Sequence, residues 1–357
     1  MTKAPRISIL MPVRNGARWL HEAAASSLNQ NYSDFELLIV DDGSSDNTPK
    51  IAAEFQRMDS RVRVIQQDQL GLVAALNRGL SEAKGSFIAR LDADDVAFPN
   101  RLERQVAYFD SHPSLVLLGS WAQKIDEAGG PIGMLRPESE SEKLKTQLLK
   151  KNPFIHSSVV FSADAARQCG GYRKVFEAAE DFDLWLQLSE RGDIAIVPEV
   201  LIKYRVHQQS VSANLAIRQL FSSRLAIRSA MARRSGRADP LENLSSPPDW
   251  NEIENGSGIY ADAKIFQLLQ YSAGLKSPGL SVAEIRAACA APLTHAERKI
   301  AQVALLNVIR GQEDLPLLVN AELLARMFCL HPTRALKLLW TNELRGRRTK
   351  WRGNKKS

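Results

Sequence analysis

From Ile7 to Val13 every side chain but Ser8 is apolar, the pattern of a strand buried on both faces of a sheet. Asn15-Gly16 then turns the chain into an amphipathic stretch, Trp19 to Leu28, at helical spacing. The alternation repeats. Phe35 to Val40 reads as a second strand and Pro49 to Met58 as a second helix, whose caps come from the polar run Asp41-Asp-Gly-Ser-Ser-Asp-Asn-Thr48. Val62 to Ile65 is a third short strand, Leu70 to Ala83 a third helix closed by Gly85, and Phe87 to Leu91 a fourth strand. Strands alternating with helices of about ten to fifteen residues predict an α/β fold with a doubly wound, mostly parallel sheet.

The fourth strand ends in Asp92, Asp94 and Asp95, which therefore emerge at the carboxyl edge of the sheet, where open α/β folds bind ligands. Three carboxylates so close repel one another unless a cation or a set of donors holds them. A hard divalent ion shared with phosphate oxygens is one such partner. An acidic turn capping the helix that starts near Pro99 is the plain alternative, but the second strand also ends in paired aspartates, Asp41 and Asp42, and capping does not require that twice.

Further on, Pro99 to Ser111 reads as a helix, Leu115 to Trp121 as a strand and 126–137, with three glycines and two prolines, as a flexible loop. Ser157 to Phe161 reads as a strand entered from Asn152-Pro-Phe-Ile-His156. Glu180-Asp-Phe-Asp-Leu-Trp185 opens a helix running to about Glu190, and its leading acids are favourable there on dipole grounds alone, about 0.3–1 kcal/mol each. Ile194 to Val197 and Val200 to Val206 are the last two strand signals. Gln219 to Arg234, Ala261 to Tyr271, Val282 to Ala290, His295 to Arg310 and Pro316 to Leu330 follow as helices, with a Pro/Ser/Asn-rich break over 239–258. The expected organisation is a ligand-binding domain over 1–212, a helical C-terminal region over 213–344 and a tail over 345–357.

Composition narrows the setting. At 357 residues the chain is long enough for two domains. Cys169, Cys289 and Cys329 are few and far apart, which argues for a reducing compartment and against a disulfide framework or a zinc site. The apolar run at the N-terminus is short, holds Pro12 and is closed by Arg14, so it fails as a signal-peptide core. No uncharged apolar run approaches the roughly 20 residues of a spanning helix. A cytoplasmic protein is expected. The net charge of +7 resides in the tail, where Arg345, Arg347, Arg348, Lys350, Arg352, Lys355 and Lys356 meet no acid and the rest of the chain is balanced. Such a tail suits an anionic membrane surface at the inner face of the plasma membrane, or is merely solvated; nucleic acid is not favoured.

Five segments, in order, resemble family 2 glycosyltransferases: Met11-Pro-Val-Arg-Asn15, the Asp-Asp-Gly-Ser-Ser-Asp run from Asp41, Ala89-Arg-Leu-Asp-Ala-Asp-Asp95, Glu180-Asp-Phe-Asp-Leu-Trp185, and Tyr204-Arg-Val-His207 with Ser210-Val-Ser212. The resemblance covers residues 6 to about 212 and implies a GT-A fold, a nucleotide-sugar donor, a divalent metal (Mn²⁺ or Mg²⁺) and transfer with inversion. It implies that Asp42 accepts from the base of the donor, a UDP-sugar, with Pro12 and Asn15 shaping the nucleotide pocket. Asp92 and Asp94 match its Asp-x-Asp, for ribose and metal, with Asp95 and His207 as further metal contacts and His207 also near the diphosphate. Arg90 is expected either at the donor or as a partner of these acids; His156 is a weaker candidate. Asp181 matches the position of the general base and Glu180 is the runner-up, whereas Asp183 faces elsewhere on the helix. Arg14 and Gln69 depart from the commonest wording, where tyrosine and asparagine are frequent, which bears on the base or sugar accepted.

Three functions compete for these segments. An inverting transferase acting on a saccharide or lipid-linked acceptor in bacterial-type cell-surface polysaccharide synthesis explains all five segments. A sugar nucleotidyltransferase would want a Gly-rich, basic phosphate loop near the N-terminus, which Met11 to Gly16 does not supply. A non-catalytic sugar-nucleotide-binding or membrane-associated scaffold of the same fold would tolerate loss of the acids, yet Asp92, Asp94 and Asp181 are all present.

Overall fold

The computed structural model describes residues 4–176, 178–207, 213–249, 252–253, 257, 259–272, 284, 298 and 302. The chain divides into two compact units, 1–247 and 248–357. The first opens with β1 (Ile7–Val13), α1 (Leu20–Leu28), β2 (Phe35–Asp42), α2 (Thr48–Met58), β3 (Val62–Gln67), α3 (Leu72–Glu82) and β4 (Phe87–Arg90), the alternation expected. It continues through β5 (Val96–Ala97), α4 (Arg101–Ser111), β6 (Leu115–Ile125), β7 (Pro131–Leu135), α5 (Ser141–Leu148), β8 (Val160–Ser162), α6 (Ala163–Gln168), α7 (Glu180–Leu188), β9 (Asp193–Arg205) and α8 (Ala213–Arg234).

The strands form one mixed sheet in the order β3-β2-β1-β4-β8-β6-β9-β5, with β7 paired to β6. β3, β2, β1 and β4 are parallel, as are β6 and β9, while β8 runs antiparallel to both β4 and β6. The apolar runs are the reason. All seven residues of β1 and all eight of β2 are buried, as strands covered by helices on both faces must be. α3 packs on β1 and β2, and α1 and α2 also pack on β2.

Four details differ from the sequence reading. The Gly-rich 126–137 stretch holds the strand β7, because its backbone pairs with β6. The two late strand signals are one long strand, β9, whose register against β6 shifts near Trp121 instead of breaking. Ser157 belongs to a 3₁₀ turn, His156–Ser158, ahead of the short β8. Residues 213–247 sit in the first unit, because Arg173 ties α8 to α7: it bonds Asp183 (Nε to Oδ2, 2.8 Å), Asp239 (2.8 Å) and Ser229 (2.9 Å). Of the second unit, α9 (Tyr260–Ser272) is described, with the buried Lys264 paired to Glu284 at 2.7 Å. The helices expected beyond Ala273, apart from isolated positions, and the basic tail lie outside the described residues. No helix among those described is long and apolar enough to cross a membrane.

What places β4 in the sheet is a buried polar network at the opposite, amino-terminal edge. Ser8 Oγ donates to Glu36 at 2.6 Å and accepts from Gly85 N at 2.9 Å, Lys84 N donates to the same carboxylate at 2.8 Å, and Arg63 closes the pair at 2.8 Å. Gly85 is needed because a Cβ there would lie 2.5 Å from Ser8 N and 2.6 Å from the carbonyl carbon of Ile7, both backbone atoms. Gly85→Ala is therefore expected to cost about 1–3 kcal/mol, read as an earlier urea midpoint in the fluorescence of buried Trp185. An unchanged midpoint would show that β1 and β4 separate freely.

Candidate active site

Strand ends bring the acids together. β1, β2 and β4 all stop at one edge, and the first two loops are stitched to each other there. Asn15, at φ 51°, donates from N to Ser44 Oγ (2.9 Å) and accepts at Oδ1 from Ser45 N (2.8 Å). Gly16 N donates to Thr48 Oγ1 at 2.8 Å, and Pro12 is paired beside Val40 within the sheet. Asp42, the last residue of β2, accepts from Gln67 Nε2 (2.7 Å), Leu70 N (2.8 Å) and Gly71 N (3.0 Å at Oδ2). Asn15 and Asp42 are thus fixed at the carboxyl edge of the sheet, where the nucleotide is expected. Asp42 keeps spare acceptor capacity at Oδ2, which takes one bond.

Asp92, Asp94 and Asp95 come together with ligand oxygens all within 4.8 Å of one another. Each is held differently. Asp92 takes Arg90 Nη2 at 2.5 Å on Oδ1 and Ser157 Oγ at 2.8 Å on Oδ2. Burial is the largest single influence and opposes its charge, but the field of Arg90 together with the other charges and hydrogen bonds around it outweighs burial, and its carboxyl titrates below the usual range. Asp94 Oδ2 lies 3.0 Å from His207 Nε2, and burial followed by the charge of Asp92 raises its pKa. Asp95 accepts from Arg205 N at 2.7 Å on Oδ1, while its buried Oδ2 has no partner among the described residues. Burial and then its two neighbours push it well above the ordinary carboxylate value. One ionised carboxylate, two crowded ones that resist ionisation and one orphaned buried oxygen are the donor set a hard cation fits.

Sequence reasoning placed Arg90 at the donor or against the acids; it is fully buried and reaches Asp92. It missed three supports. Arg101, also buried, donates to the carbonyls of Arg90 (2.8 Å) and Val159 (3.2 Å) and so closes the end of β4. Arg205 donates to Asp94 O at 2.7 Å and to Glu22 at 2.6 Å, fixing the turn that carries the triad. Trp19 packs on His207 with ring centroids 4.8 Å apart. Only the intact Tyr204-Arg-Val-His207 segment hinted at Arg205. His156 is half-buried and packs against Tyr172 and Trp185: desolvation lowers its pKa to about 3, and Nε2 sits 3.4 Å from Tyr172 Oη.

Glu180 and Asp181 start α7. Asp181 accepts from Asn152 Nδ2 at 2.9 Å on Oδ2 and from Phe182 N at 2.6 Å on Oδ1. Burial raises its pKa to about 6 against those two bonds, which favour the charge. Burial and then the adjacent Asp181 push Glu180 higher, to about 8. Both carboxyls therefore hold a proton more readily than an ordinary side-chain acid, Glu180 the more so. Asp183 turns away and is spent on Arg173, as its place on the helix suggested.

The model of glycosyl transferase family 2 matches residues 8–176. EpsE of Bacillus subtilis, which carries a glycosyltransferase name, is 36% identical over 196 residues, 54% of this chain and 69% of its own length. The O-antigen biosynthesis glycosyltransferase WbnJ of Escherichia coli is 35% identical over 208 residues, 57% of this chain and 81% of its own. Among solved structures, residues 1–349 of Staphylococcus aureus TarS in complex with UDP-GlcNAc align with a TM-score of 0.53 at 15% identity, covering 87% of this chain and 93% of that one. A mannosyltransferase of Pyrobaculum calidifontis with GDP-Man and Mn²⁺ aligns with a TM-score of 0.51 at 18% identity, covering 95% and 88%. The structural likenesses carry the fold, GT-A, and the sequence relatives carry the family: the chain belongs to glycosyl transferase family 2.

Proposed function

We propose that the chain is an inverting glycosyltransferase that moves a sugar from a nucleoside-diphosphate sugar, a UDP-sugar, to a hydroxyl of a saccharide or lipid-linked acceptor in cell-surface polysaccharide synthesis. The carrying observation is the separation of two carboxylate groups by task. The Asp92, Asp94 and Asp95 oxygens converge within 4.8 Å, and Asp181, outside that cluster, keeps a basicity near pKa 6. Asp94, Asp92 and Asp95, with His207 beside Asp94, would hold a Mn²⁺ or Mg²⁺ ion, which when bound stabilises charge on a departing diphosphate.

The chain's own residues account for the rest. Asp42 accepts from the base. Asp181 takes the proton of the attacking hydroxyl at whichever oxygen lone pair Asn152 and Phe182 leave open. Its oxygens are held by those two donors, so no reorientation is needed as the proton moves. A carboxylate bound to a cation would have its basicity suppressed, so the base must stand outside the triad. Residues 345–357 place the enzyme at an anionic membrane surface.

Three outcomes test this reading. Released nucleoside diphosphate from a donor panel should vanish in excess EDTA and return with Mn²⁺ or Mg²⁺. Asp94→Asn should lower Mn²⁺ affinity by calorimetry as well as turnover; full activity in EDTA would sink the metal. For Asp181, kcat/KM should rise with pH through about 6 as the carboxyl ionises, and Asp181→Asn should lose that limb with about 10²–10⁴ of rate. Its folded pKa is raised, so its contribution to stability is present below the unfolded value and lost as pH rises through about 6. The Asn variant should accordingly unfold at or above the wild-type temperature at pH 7.5, and retained turnover, or inactivity confined to Glu180→Gln, would displace Asp181 as the base. Lastly, deleting 345–357 should end salt-sensitive binding to phosphatidylserine vesicles and leave donor hydrolysis unchanged.

A further inference from the structure

Trp19 stands where local physics would not put it. It is the N-cap residue of α1 and makes no side-chain cap. Helix starts favour Ser, Thr, Asp or Asn, whose oxygens accept from an orphan N–H, whereas an indole is a donor only. Trp19 is half-buried and does not belong to the core. Its contacts are tertiary. The ring lies 4.8 Å from that of His207, and Nε1 donates to Glu127 O, in the β6–β7 turn, at 3.4 Å. The guanidinium carbons of Arg18 and Arg205 stand 4.5 and 5.7 Å from its centroid, and Arg18 is itself paired to Glu127 at 2.8 Å.

The first turn of α1 therefore grips the end of β9 twice. Glu22 takes Arg205 Nη2 at 2.6 Å, and Trp19 takes the His207 ring. Both gripped residues meet Asp94: Arg205 Nε donates to its carbonyl at 2.7 Å, and His207 Nε2 lies 3.0 Å from its Oδ2. The two grips do different things. The guanidinium of Arg205 is oriented by its own bonds, to Asp94, Asp126, Glu127 and Glu22. An imidazole has a broad, roughly two-fold χ2, so packing against its face decides where its nitrogens point. For His207 the indole of Trp19 supplies such a face.

We infer that Trp19 is a positioning residue for the metal site: by packing on the His207 ring it keeps Nε2 turned toward Asp94, and so toward a divalent cation held there. This role rests on the proposed place of His207 beside the triad, and it gives Trp19 no contact with cation or donor. Groups that orient a metal ligand are typically worth about 10–100-fold in metal affinity.

Mn²⁺ affinity, measured by calorimetry on the whole chain without donor, tests the role. Trp19→Leu keeps apolar bulk but loses the flat face, and should weaken Mn²⁺ binding by about tenfold or more. Trp19→Phe restores a ring and should bind Mn²⁺ with an affinity nearer to wild type than to Trp19→Leu. Where Trp19→Leu does not fold, Trp19→Met, long and flexible but without a flat face, is read in its place. In a His207→Ala background the loss of the indole should cost nothing further, because the ring it orients is gone. Equal losses in both backgrounds would make Trp19 a packing residue and overturn the inference, as would wild-type affinity in Trp19→Leu or a Trp19→Phe variant no better than it. Wild-type affinity in His207→Ala removes His207 from the cation, and the inference with it, while the triad stays as the candidate ligand set. Failure of the wild-type chain to bind Mn²⁺ overturns the metal reading itself.

Discussion

The active edge depends on one buried cation. Arg90 is fully inside the sheet, bonded through Nη2 to Asp92 at 2.5 Å, with Nε and Nη1 unpartnered among the described residues. A guanidinium is charged at any working pH, and burying one is tolerable only next to compensating charge. That charge is supplied by the acids at the strand ends. In return its field favours ionisation of Asp92, and it pulls the values of Glu180 and Asp181 down against the burial that raises them. Asp92 of the triad and the α7 pair, far apart in sequence, share this counterion.

Such an arrangement is stable only if the cation cannot drift, and the fold holds it from several sides. Arg101 binds its backbone carbonyl, Ser157 holds the far oxygen of Asp92, and the Ser8–Glu36 network fixes the opposite end of the same strand. Tyr172 and His156, both within its field, pack with Trp185 at ring-centroid separations of 5.9–6.4 Å, and exclusion of water keeps such a field strong. Burial raises the Asp181 carboxyl to about 6, high enough to accept a proton and low enough to be ionised at pH 7.

The antiparallel insertion of β8 between β4 and β6 has a further consequence. It turns the sheet from a simple parallel array into one whose second half brings β9 back along β6. Tyr204 to His207, at the end of β9, thereby reach the turn that follows β4. Arg205 clamps the backbone at Asp94, and His207 meets the Asp94 side chain. With only parallel crossovers, the β9 end would have no reason to meet the triad.

The alternating runs through β4 were enough to determine the first half of the fold, because fully apolar stretches separated by amphipathic ones have few ways to bury themselves other than a helix-covered parallel sheet. The acids themselves were legible for the same reason: a strand that stops at Asp92 must present it at the carboxyl edge, and an acid pair opening a helix must sit at its N-terminus. What sequence could not decide was which donor meets which acid. Asn152 on Asp181, Ser157 on Asp92 and Arg205 on Asp94 and Asp95 are pairings across 29 to 111 positions, carried by residue types found anywhere in a soluble chain. The protonation states follow those pairings and the local burial. Which of Glu180 and Asp181, adjacent and nearly alike in sequence, meets donors is therefore decided only in the tertiary structure, where burial weighs on both and hydrogen bonds from Asn152 and Phe182 reach Asp181 alone.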